Sequence, residues 1–564
     1  MIQYTSAEDA KRVFITISIG TISVAVLNYL GLKSMDRYFI PFSILAIDYF
    51  VTIFCMTSYR LGVKFVYDEL DQGGKERSRV IILGANEYGV ITKRTLERDP
   101  KKNYRVVAFI DNKSDLIRQK LEGVMIYDSR NDLEELLKEE RPDLLIMASP
   151  NIPASRKQQV VDACLKYNVR VLHVPPMTKW INGELSLNQI REVKIEELLE
   201  RDTIQLERDK VKLQLEGKRI LITGAAGSIG SEIVRQVAKY QPEKLLLLDQ
   251  ADTPLFDLEK EMAASPEEIS LEVIIGDVRN AERMENVFRT FKPHLVYHAA
   301  AYKHVPMMEE NPSEAILTNV LGTMICADLS VTHDVETFVL VSTDKAVNPT
   351  SVMGASKRVA EIYVQSLNAH LEEINPGEHP HFITTRFGNV LGSSGSVIPI
   401  FRKQINDGGP LTVTHPEVTR FFMTIPESCE LVLEAGAMGN GGEIYIFDMG
   451  DPVKIVDLAK KMIQLSGLEL GKDIQIEFTG LRPGEKLTEE LLNSKENTLP
   501  THHPKIMIAR VREYPFPGIS KNIKELISLF DGQNNEAIVR KMKEIVPEYI
   551  SNNSVFEKLD VAEH

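Results

Sequence analysis

Cysteine is scarce. The 564 residues hold four, Cys55, Cys164, Cys326 and Cys429, far apart and with no C-x-x-C pair. That spacing points away from a disulfide framework and from a cysteine zinc site, and it suits a reducing compartment. Histidine supplies no metal set either: His298 and His304 lack a third ligand at suitable spacing, so no metal is expected and both read as packing or supporting residues. Positive charge is not in excess. A formal net charge of −14 argues against nucleic acid as a partner. Low-complexity tracts are missing, and no repeat stands out beyond two similar strand–glycine–helix patterns.

What is there is ordinary globular material, 43% hydrophobic and 26% charged, in a chain long enough for two or three domains. The N-terminus departs from that average. Val13 to Leu32 and Tyr38 to Tyr59 are apolar runs, each long enough to cross a hydrocarbon layer of roughly 30 Å. With no small-residue cleavage site and a second run following at once, two transmembrane helices over residues 12–60 are expected rather than a removed signal, after a short cytoplasmic tail over residues 1–11. A buried helical hairpin is the bland alternative. Asp48 is costly in lipid and should face the other helix or a cavity. Lys11, Arg12, Arg60 and Lys64 flank the pair, against Lys33 and Arg37 in the connection, which favours both ends in the cytoplasm.

Strands and helices alternate over residues 76–178. Val80-Ile-Ile-Leu-Gly-Ala-Asn-Glu-Tyr-Gly89 runs from strand through a glycine turn into a helix, and Val106 to Asp111 and Leu144 to Ala148 read as further strands. This is a small Rossmann-like pattern. Asn86 stands where a middle glycine would admit a pyrophosphate, so a degenerate domain with a structural or regulatory role suits it better than nucleotide binding. Residues 179–216, rich in Glu, Arg, Lys and Leu, read as a helical connector.

From residue 217 to 564 the second Rossmann pattern is far more complete. Lys218 to Gly230 gives strand, turn and helix with Gly224, Gly227 and Gly230 in G-x-x-G-x-x-G. Those glycines allow a tight turn, close approach of backbone to a pyrophosphate, and close packing of helix on strand. Asp249 ends the next strand, where it can accept from ribose hydroxyls and would repel a 2′-phosphate, so NAD is favoured over NADP. Asp277, with Val278 after it, follows a third strand and can reach an adenine.

The stretch Val339 to Lys357 organises the rest. It opens as a buried strand, ends in Ser342-Thr343-Asp344-Lys345, is broken by Pro349, and continues as a helix carrying Lys357 on its first turns. In an open α/β sheet, ligands bind at the carboxyl ends of the strands. Hydroxyl, acid and base therefore meet in one crevice, which is an enzyme's layout.

Taken with His298-Ala-Ala-Ala-Tyr-Lys-His-Val-Pro306, Arg386-Phe-Gly-Asn-Val-Leu-Gly392, Val418-Thr-Arg-Phe-Phe-Met-Thr424 and Leu481-Arg-Pro-Gly-Glu-Lys486, the chain from Lys218 to about Leu492 resembles the extended short-chain dehydrogenase/reductase superfamily. Within it the likeness is to membrane-bound UDP-N-acetylglucosamine 4,6-dehydratases of the CapD-like polysaccharide-biosynthesis type. The likeness extends to the two spans and the first Rossmann-like domain; larger members carry four spans, so the chain is expected to begin between the second and third.

The resemblance implies an α/β fold of two parallel-sheet domains, the second with a C-terminal sugar-nucleotide lobe, and NAD held by Gly224, Gly227, Ser228, Ile229, Gly230, Asp249, Asp277, Val278, Ala299 and Lys357. It implies Lys303, Asn389, Arg420, Arg482 and Glu485 around the UDP-sugar; arginine's planar fork suits a diphosphate. Arg386 is read evenly as a ligand or a structural partner. The catalytic set would be Thr343, Asp344, Lys345, Met353 and Lys357. The superfamily's tyrosine falls at Met353, which cannot take a proton, although the membrane-bound dehydratases are similar in having methionine there. The first proton acceptor is then a water held by Thr343 or Lys357.

The implied reaction oxidises C4 of the sugar, removes water across C5 and C6, and returns the hydride to C6. It asks for Asp344 as a protonated acid, Lys345 as a neutral base, and Lys357 as a charge beside the nicotinamide ribose. A salt bridge between Asp344 and Lys345 that merely holds the loop is the bland counterpart. Two rivals remain: a nucleotide-sugar 4-epimerase, for which the Asp344–Lys345 pair would be superfluous, and a non-catalytic NAD-sensing scaffold. The implied setting is a bacterial inner membrane, multi-pass, with the catalytic domain cytoplasmic and the chain in a homo-oligomer, feeding surface polysaccharide or glycoprotein glycan synthesis.

Overall fold

The computed structural model describes residues 7–35, 39–72, 78–98, 104–149, 152–180, 183–199, 208–265, 269–490, 492, 497–532 and 534–560. It divides into two compact units: Met1–Asp132 with Glu139–Ala148 and Met177–Gln189, and Leu133–Lys138 with Ser149–Pro176 and Ile190–His564.

In the first unit, helices Ala7–Met35 and Phe42–Gln72 both outrun the apolar stretches that start them. Phe14–Lys33 and Phe42–Arg60 are long and apolar enough to cross a membrane. Asn28 ties the helix pair together: buried, it donates to the Ile40 carbonyl (2.6 Å) and accepts from the Phe39 and Ile40 amides (2.9 and 3.0 Å). Asp48 corrects an expectation. It is exposed rather than turned to the other helix, and Thr52, one turn along the same helix, donates to it at 3.5 Å. The side chains of Lys11, Arg12, Arg37 and Lys64, on which the orientation expectation rests, lie outside the described residues. Further on, strands Lys120–Leu121, Val124–Asp128, Tyr104–Asp111, Ser78–Leu83 and Leu144–Met147 lie side by side in that order. All pair in parallel except the first two, which form a small hairpin.

The second unit carries the larger sheet. Its spatial order is Leu271–Ile275, Lys244–Asp249, Arg219–Thr223, Leu295–His298, Thr337–Val341, His381–Arg386, Ile444–Phe447, Ile506–Arg510 and Asn497–Pro500. The first seven run parallel and the last two antiparallel. The near-continuous apolar runs of these strands follow from burial on both faces. Leu221, Leu246, Val296, Phe338 and Leu340 pack on one side, and Ile220, Ile222, Leu245, Tyr297 and Val339 on the other. A third apolar helical stretch, Pro312–Thr332, satisfies the same membrane-span criterion, yet Ile316, Val320, Met324 and Ala327 are buried in the sheet's own core. Strand order reverses between Arg219–Thr223 and Leu295–His298, which opens a crevice at their carboxyl ends.

The stretch read as a helical connector is not one continuous helix. Arg191–Glu192 is a short strand antiparallel to Leu172–His173, followed by helices Ile195–Leu199 and Arg208–Leu215. Arg191 and Glu192 are both exposed and charged, so no apolar alternation marks the strand. Residues 200–207 of that stretch lie outside the described ones.

Candidate active site

Two clefts open at the carboxyl edge of the large sheet. Around the first, Gly224 has φ 69°, and a Cβ on it would stand 2.6 Å from the Ala300 amide nitrogen; one on Gly230 would stand 2.1 Å from the Gly224 carbonyl. Turn, neighbouring strand end and helix are therefore locked together only because side chains are missing. Gly227 takes the N-cap of helix Ser228–Ala238 with no side chain to cap it. The first helical N–H groups are left to an anion. Asp249 accepts from the Ala226 and Ala251 amides (both 3.0 Å), bracing the turn while lining the cleft. Gly224, Gly227, Asp277, Val278 and Ala299 line it as well. Asp277 is also held locally. Its carboxylate accepts from the Arg279 amide (2.9 Å) and Nε (2.8 Å), so that Arg279 overrides burial and holds its pKa below the usual range. The Ser228 hydroxyl accepts from the Ser394 amide at 3.3 Å, while Ile229 and Gly230 contribute from within the helix.

The second cleft, about 240 Å³, is lined by Lys303, Lys345, Asn389, Arg420, Arg482 and Glu485 among others. Strand Thr337–Val341 delivers Thr343, whose side chain opens a short 3₁₀ turn over Asp344–Ala346 and points Asp344 and Lys345 the same way. Lys345 Nζ donates to Asp344 Oδ1 (3.0 Å) and to Asn389 Oδ1 (3.1 Å), and Thr343 donates to the same Asp344 oxygen (2.9 Å). Burial alone would push the Lys345 ammonium down, but the carboxylates of Asp344 and Glu489 outweigh it, and its pKa lies above the ordinary lysine value. Lys345 therefore has to give up a proton against this pull before it can act as the base that the resemblance implies. Asp344 Oδ2 is buried and unpartnered among the described residues, and a Cβ on Gly388 would come to 2.7 Å of it. That proximity accounts for glycine in the Arg386-Phe-Gly-Asn motif.

Arg420 is held by Glu485 (3.0 Å) and by the Thr419 and Leu487 carbonyls (2.7 and 3.2 Å). Glu485 also accepts from the Thr414 hydroxyl and the Arg482 amide. Lys303 is pushed down by burial. His304 lines this cleft, its ring against Gly395, where a Cβ would stand 2.6 Å away. Arg386 resolves as a structural partner: it clamps Glu361 through two bonds (2.9 and 2.7 Å), joined by Arg358 and Ser342, and these charges overcome burial to hold Glu361 down to about 2.

Helix Val352–Ile374, capped by Ser351, carries Met353 and Lys357, both buried. Met353 packs in the core cluster. Burial lowers Lys357 to about 8. Neighbouring His298 bonds Thr223 (2.8 Å) and Thr323 (3.0 Å) through its two ring nitrogens, and burial and the Lys357 charge hold it down to about 3.

Sequence reasoning missed two contributors. Glu489 is buried at the second cleft, 3.5 Å from Lys345 and 3.9 Å from Arg420; its only signal was its place four residues after Glu485. The C-terminal segment also closes on the Arg482-Pro-Gly-Glu485 loop. The Gly484 amide donates to the Asn552 carbonyl (2.7 Å), and the Asn552 side chain donates to the Glu485 carbonyl (2.9 Å).

A parallel sheet with a glycine turn at its switch point, beside a cationic cleft bearing an acid and a base, defines a nucleotide-sugar enzyme of the short-chain dehydrogenase/reductase kind. Comparison places the chain more narrowly. The polysaccharide biosynthesis protein family profile matches residues 220–511, and a CoA-binding domain profile matches residues 5–175. The chain is 43% identical over 459 residues to the capsular polysaccharide biosynthesis protein CapD of Staphylococcus aureus, covering 81% of this chain and 75% of that one. The chain belongs to this polysaccharide biosynthesis family. It is also 35% identical over 285 residues to the inverting UDP-N-acetylglucosamine 4,6-dehydratase of Campylobacter jejuni, covering 50% of this chain and 79% of that protein. A UDP-glucose 4-epimerase of Rickettsia rickettsii is likewise 35% identical, over 50% of this chain and 79% of its own length.

Proposed function

We propose that the second unit is an NAD-dependent UDP-N-acetylglucosamine 4,6-dehydratase, anchored by the N-terminal helices in an inner membrane with its catalytic part cytoplasmic. The observation that carries this reading is the Asp344–Lys345 pair, 3.0 Å apart, facing a cleft lined by Arg420, Arg482 and Lys303. An epimerase needs redox at C4 alone and has no use for a second acid and base.

The uncapped helix start at Gly227 and the carboxylate of Asp249 fit a dinucleotide. NAD, when bound, would take a hydride from C4 and give it back to C6. Arg482 and Arg420 would meet the diphosphate, Arg420 giving up part of its hold on Glu485. Lys357, charged below pH about 8, would sit by the nicotinamide ribose and favour departure of hydride from the sugar. With C4 a ketone, the C5 proton is acidic. Lys345 takes it, Asp344 protonates the C6 hydroxyl, and water leaves. As hydride returns to C6, Lys345 gives a proton to C5, which restores the base. The proton that the C4 hydroxyl gives up on oxidation, passed to a water held by Thr343 or Lys357, returns through solvent to Asp344 and restores the acid.

Proton NMR of the protein with UDP-N-acetylglucosamine and NAD in heavy water tests this. A new 6-methyl signal with deuterium at C5 is the expected result, and ring couplings then give the C5 configuration. A sugar returned as its C4 epimer would replace the reading with an epimerase. Unchanged sugar over tightly bound NAD would point to the sensor.

A further inference from the structure

We propose that Glu489 is a positioning residue for Lys345: its carboxylate stabilises the ammonium that Lys345 becomes on taking the C5 proton. The inference rests on the dehydratase reading and extends it to a residue outside the acid–base pair.

The comparison with Glu361 carries the argument. Both carboxylates are buried, at 4% and 0% exposure. Glu361 is saturated, with Arg386, Arg358 and Ser342 on its two oxygens at 2.6 to 3.1 Å. That is how a buried charge is held for structure. Glu489 is not held this way. One oxygen stands 3.5 Å from Lys345 Nζ and 3.9 Å from Arg420 Nε, longer than hydrogen bonds, and the other is buried and unpartnered among the described residues. The residue also lines the cleft. A carboxylate kept dry, incompletely paired and beside the base is placed to respond when the base gains charge.

The step balances as follows. The C5–H bond breaks and its proton goes to Lys345 Nζ. The C5 electron pair forms the C5–C6 double bond, and the C6–O bond breaks as Asp344 supplies the proton that completes the leaving water. Positive charge thus appears on Nζ. The charged groups facing it are the carboxylates of Asp344 and Glu489 against Arg420 and, further off, Lys486. Asp344 is the partner in the exchange, so Glu489 is the carboxylate whose charge stays fixed throughout. Its field stabilises the ammonium both at rest and once the C5 proton has arrived, so it sets how tightly Lys345 holds a proton. The same field explains why the resting Lys345 keeps its proton above the ordinary lysine range.

Glu489→Gln tests this through two readouts. In the kcat–pH profile of the full chain with UDP-N-acetylglucosamine, activity falls first near pH 8 as Lys357 loses its charge, and a second limb above the ordinary lysine range reports loss of the one proton that Asp344 and Lys345 share. That limb should move to lower pH by about one unit, with a smaller change in KM. Glu489→Asp, which keeps the charge, should bring the limb part of the way back. Independently, competitive labelling of Lys345 by acetic anhydride across pH, read by mass spectrometry, should show its midpoint falling in Glu489→Gln. A midpoint and alkaline limb unmoved in Glu489→Gln, with dehydration intact, would overturn the proposal. A shifted midpoint in a protein whose wild type dehydrates nothing would keep the Glu489–Lys345 coupling and remove the dehydratase reading instead.

Discussion

The chain builds the same turn twice and uses it differently. In the first unit Gly84, with φ 116°, turns strand Ser78–Leu83 into helix Glu87–Glu97; in the second, Gly224, with φ 69°, turns Arg219–Thr223 into Ser228–Ala238. Each turn is braced by an acid from the end of the next strand: Asp111 accepts from the Ala85 amide at 2.7 Å, and Asp249 from the Ala226 amide at 3.0 Å. The difference lies at the helix N-cap. Asn86 accepts from the Gly89 amide and satisfies the helix start from within, whereas Gly227 has nothing to offer. Asp111 is also buried and further occupied by the Asn112 and Lys113 amides, while Asp249 lines a cleft. A side chain in one turn stands where a phosphate would stand in the other. The frame alone, then, does not make a nucleotide site; the missing cap does.

The harshest way to break the comparison is to remove what the turns share. Gly224→Ala forces a left-handed backbone on alanine and drives its Cβ to 2.6 Å of the Ala300 amide. A loss of about 4 kcal/mol is expected by denaturant titration, with NAD binding abolished. Gly84→Ala meets the Ala148 carbonyl at 2.8 Å and should lose a similar amount, yet leave NAD binding as it was. Equal damage to NAD binding from both would show the turns to be functionally alike, and the contrast would fail.

Next in size is a transplant of the cap. Gly227 has φ −73°, which any residue adopts, so Gly227→Asn can cap its helix as Asn86 does. A gain of a few tenths of a kcal/mol in helix stability is expected. Calorimetric titration should show NAD affinity down roughly a hundredfold, at 1.4 kcal/mol per decade. Stoichiometry sharpens the point: one NAD site per chain is expected before and after the change, weakened in the second unit and with none gained in the first.

The units also differ in how they keep a buried amine. Lys93 is neutralised by Glu97 at 2.9 Å and Glu122 at 3.6 Å, whereas Lys357 lies buried with burial lowering it to about 8. Between that value and the ordinary lysine value of 10.5, the unfolded chain holds a proton that the folded chain has released. Stability should therefore rise as pH climbs through this window, and Lys357→Met should flatten that slope in pH-dependent unfolding. Activity should move the opposite way, falling above pH about 8 as the charge beside the nicotinamide ribose is lost.

Much of this could be read from residue order. The apolar strand before Ser342, the polar residues at its end and the glycine spacing of the second turn are local patterns, and the fold follows from local periodicity. Lys303, Lys345, Asn389, Arg420, Arg482 and Glu485 come from five separate segments and line one cleft. What escaped reading depends on distant packing. Nothing near Glu489 in sequence says that it is buried beside Lys345, and Asn552 matters only because the chain returns to the Gly484 loop. Nor does anything in the Asp277 motif show Arg279 folding back on that carboxylate. The strand at Arg191–Glu192 consists of two exposed charged residues and carries no apolar alternation to reveal it.

The smallest expected effect bears most directly on what Asn86 does. If the Asn86 side chain only completes the helix, Asn86→Gly should lower stability by a few tenths of a kcal/mol, because glycine also tolerates the cap position, and Asn86→Ala by about 1 kcal/mol. Neither should alter turnover of the nucleotide sugar. If Asn86 instead fills an anion site inherited from a shared ancestral turn, Asn86→Gly should expose the Gly89 amide and its neighbours, and the protein should then gain affinity for a phosphate-bearing ligand. Asp111 argues against that gain. It keeps both oxygens on the Ala85, Asn112 and Lys113 amides, and its negative charge stays at the mouth of the turn whether or not the cap is present. The expected result is a slightly lower melting temperature and no new NAD or CoA binding by calorimetry. A second binding event in Asn86→Gly would mean that one side chain separates the two turns.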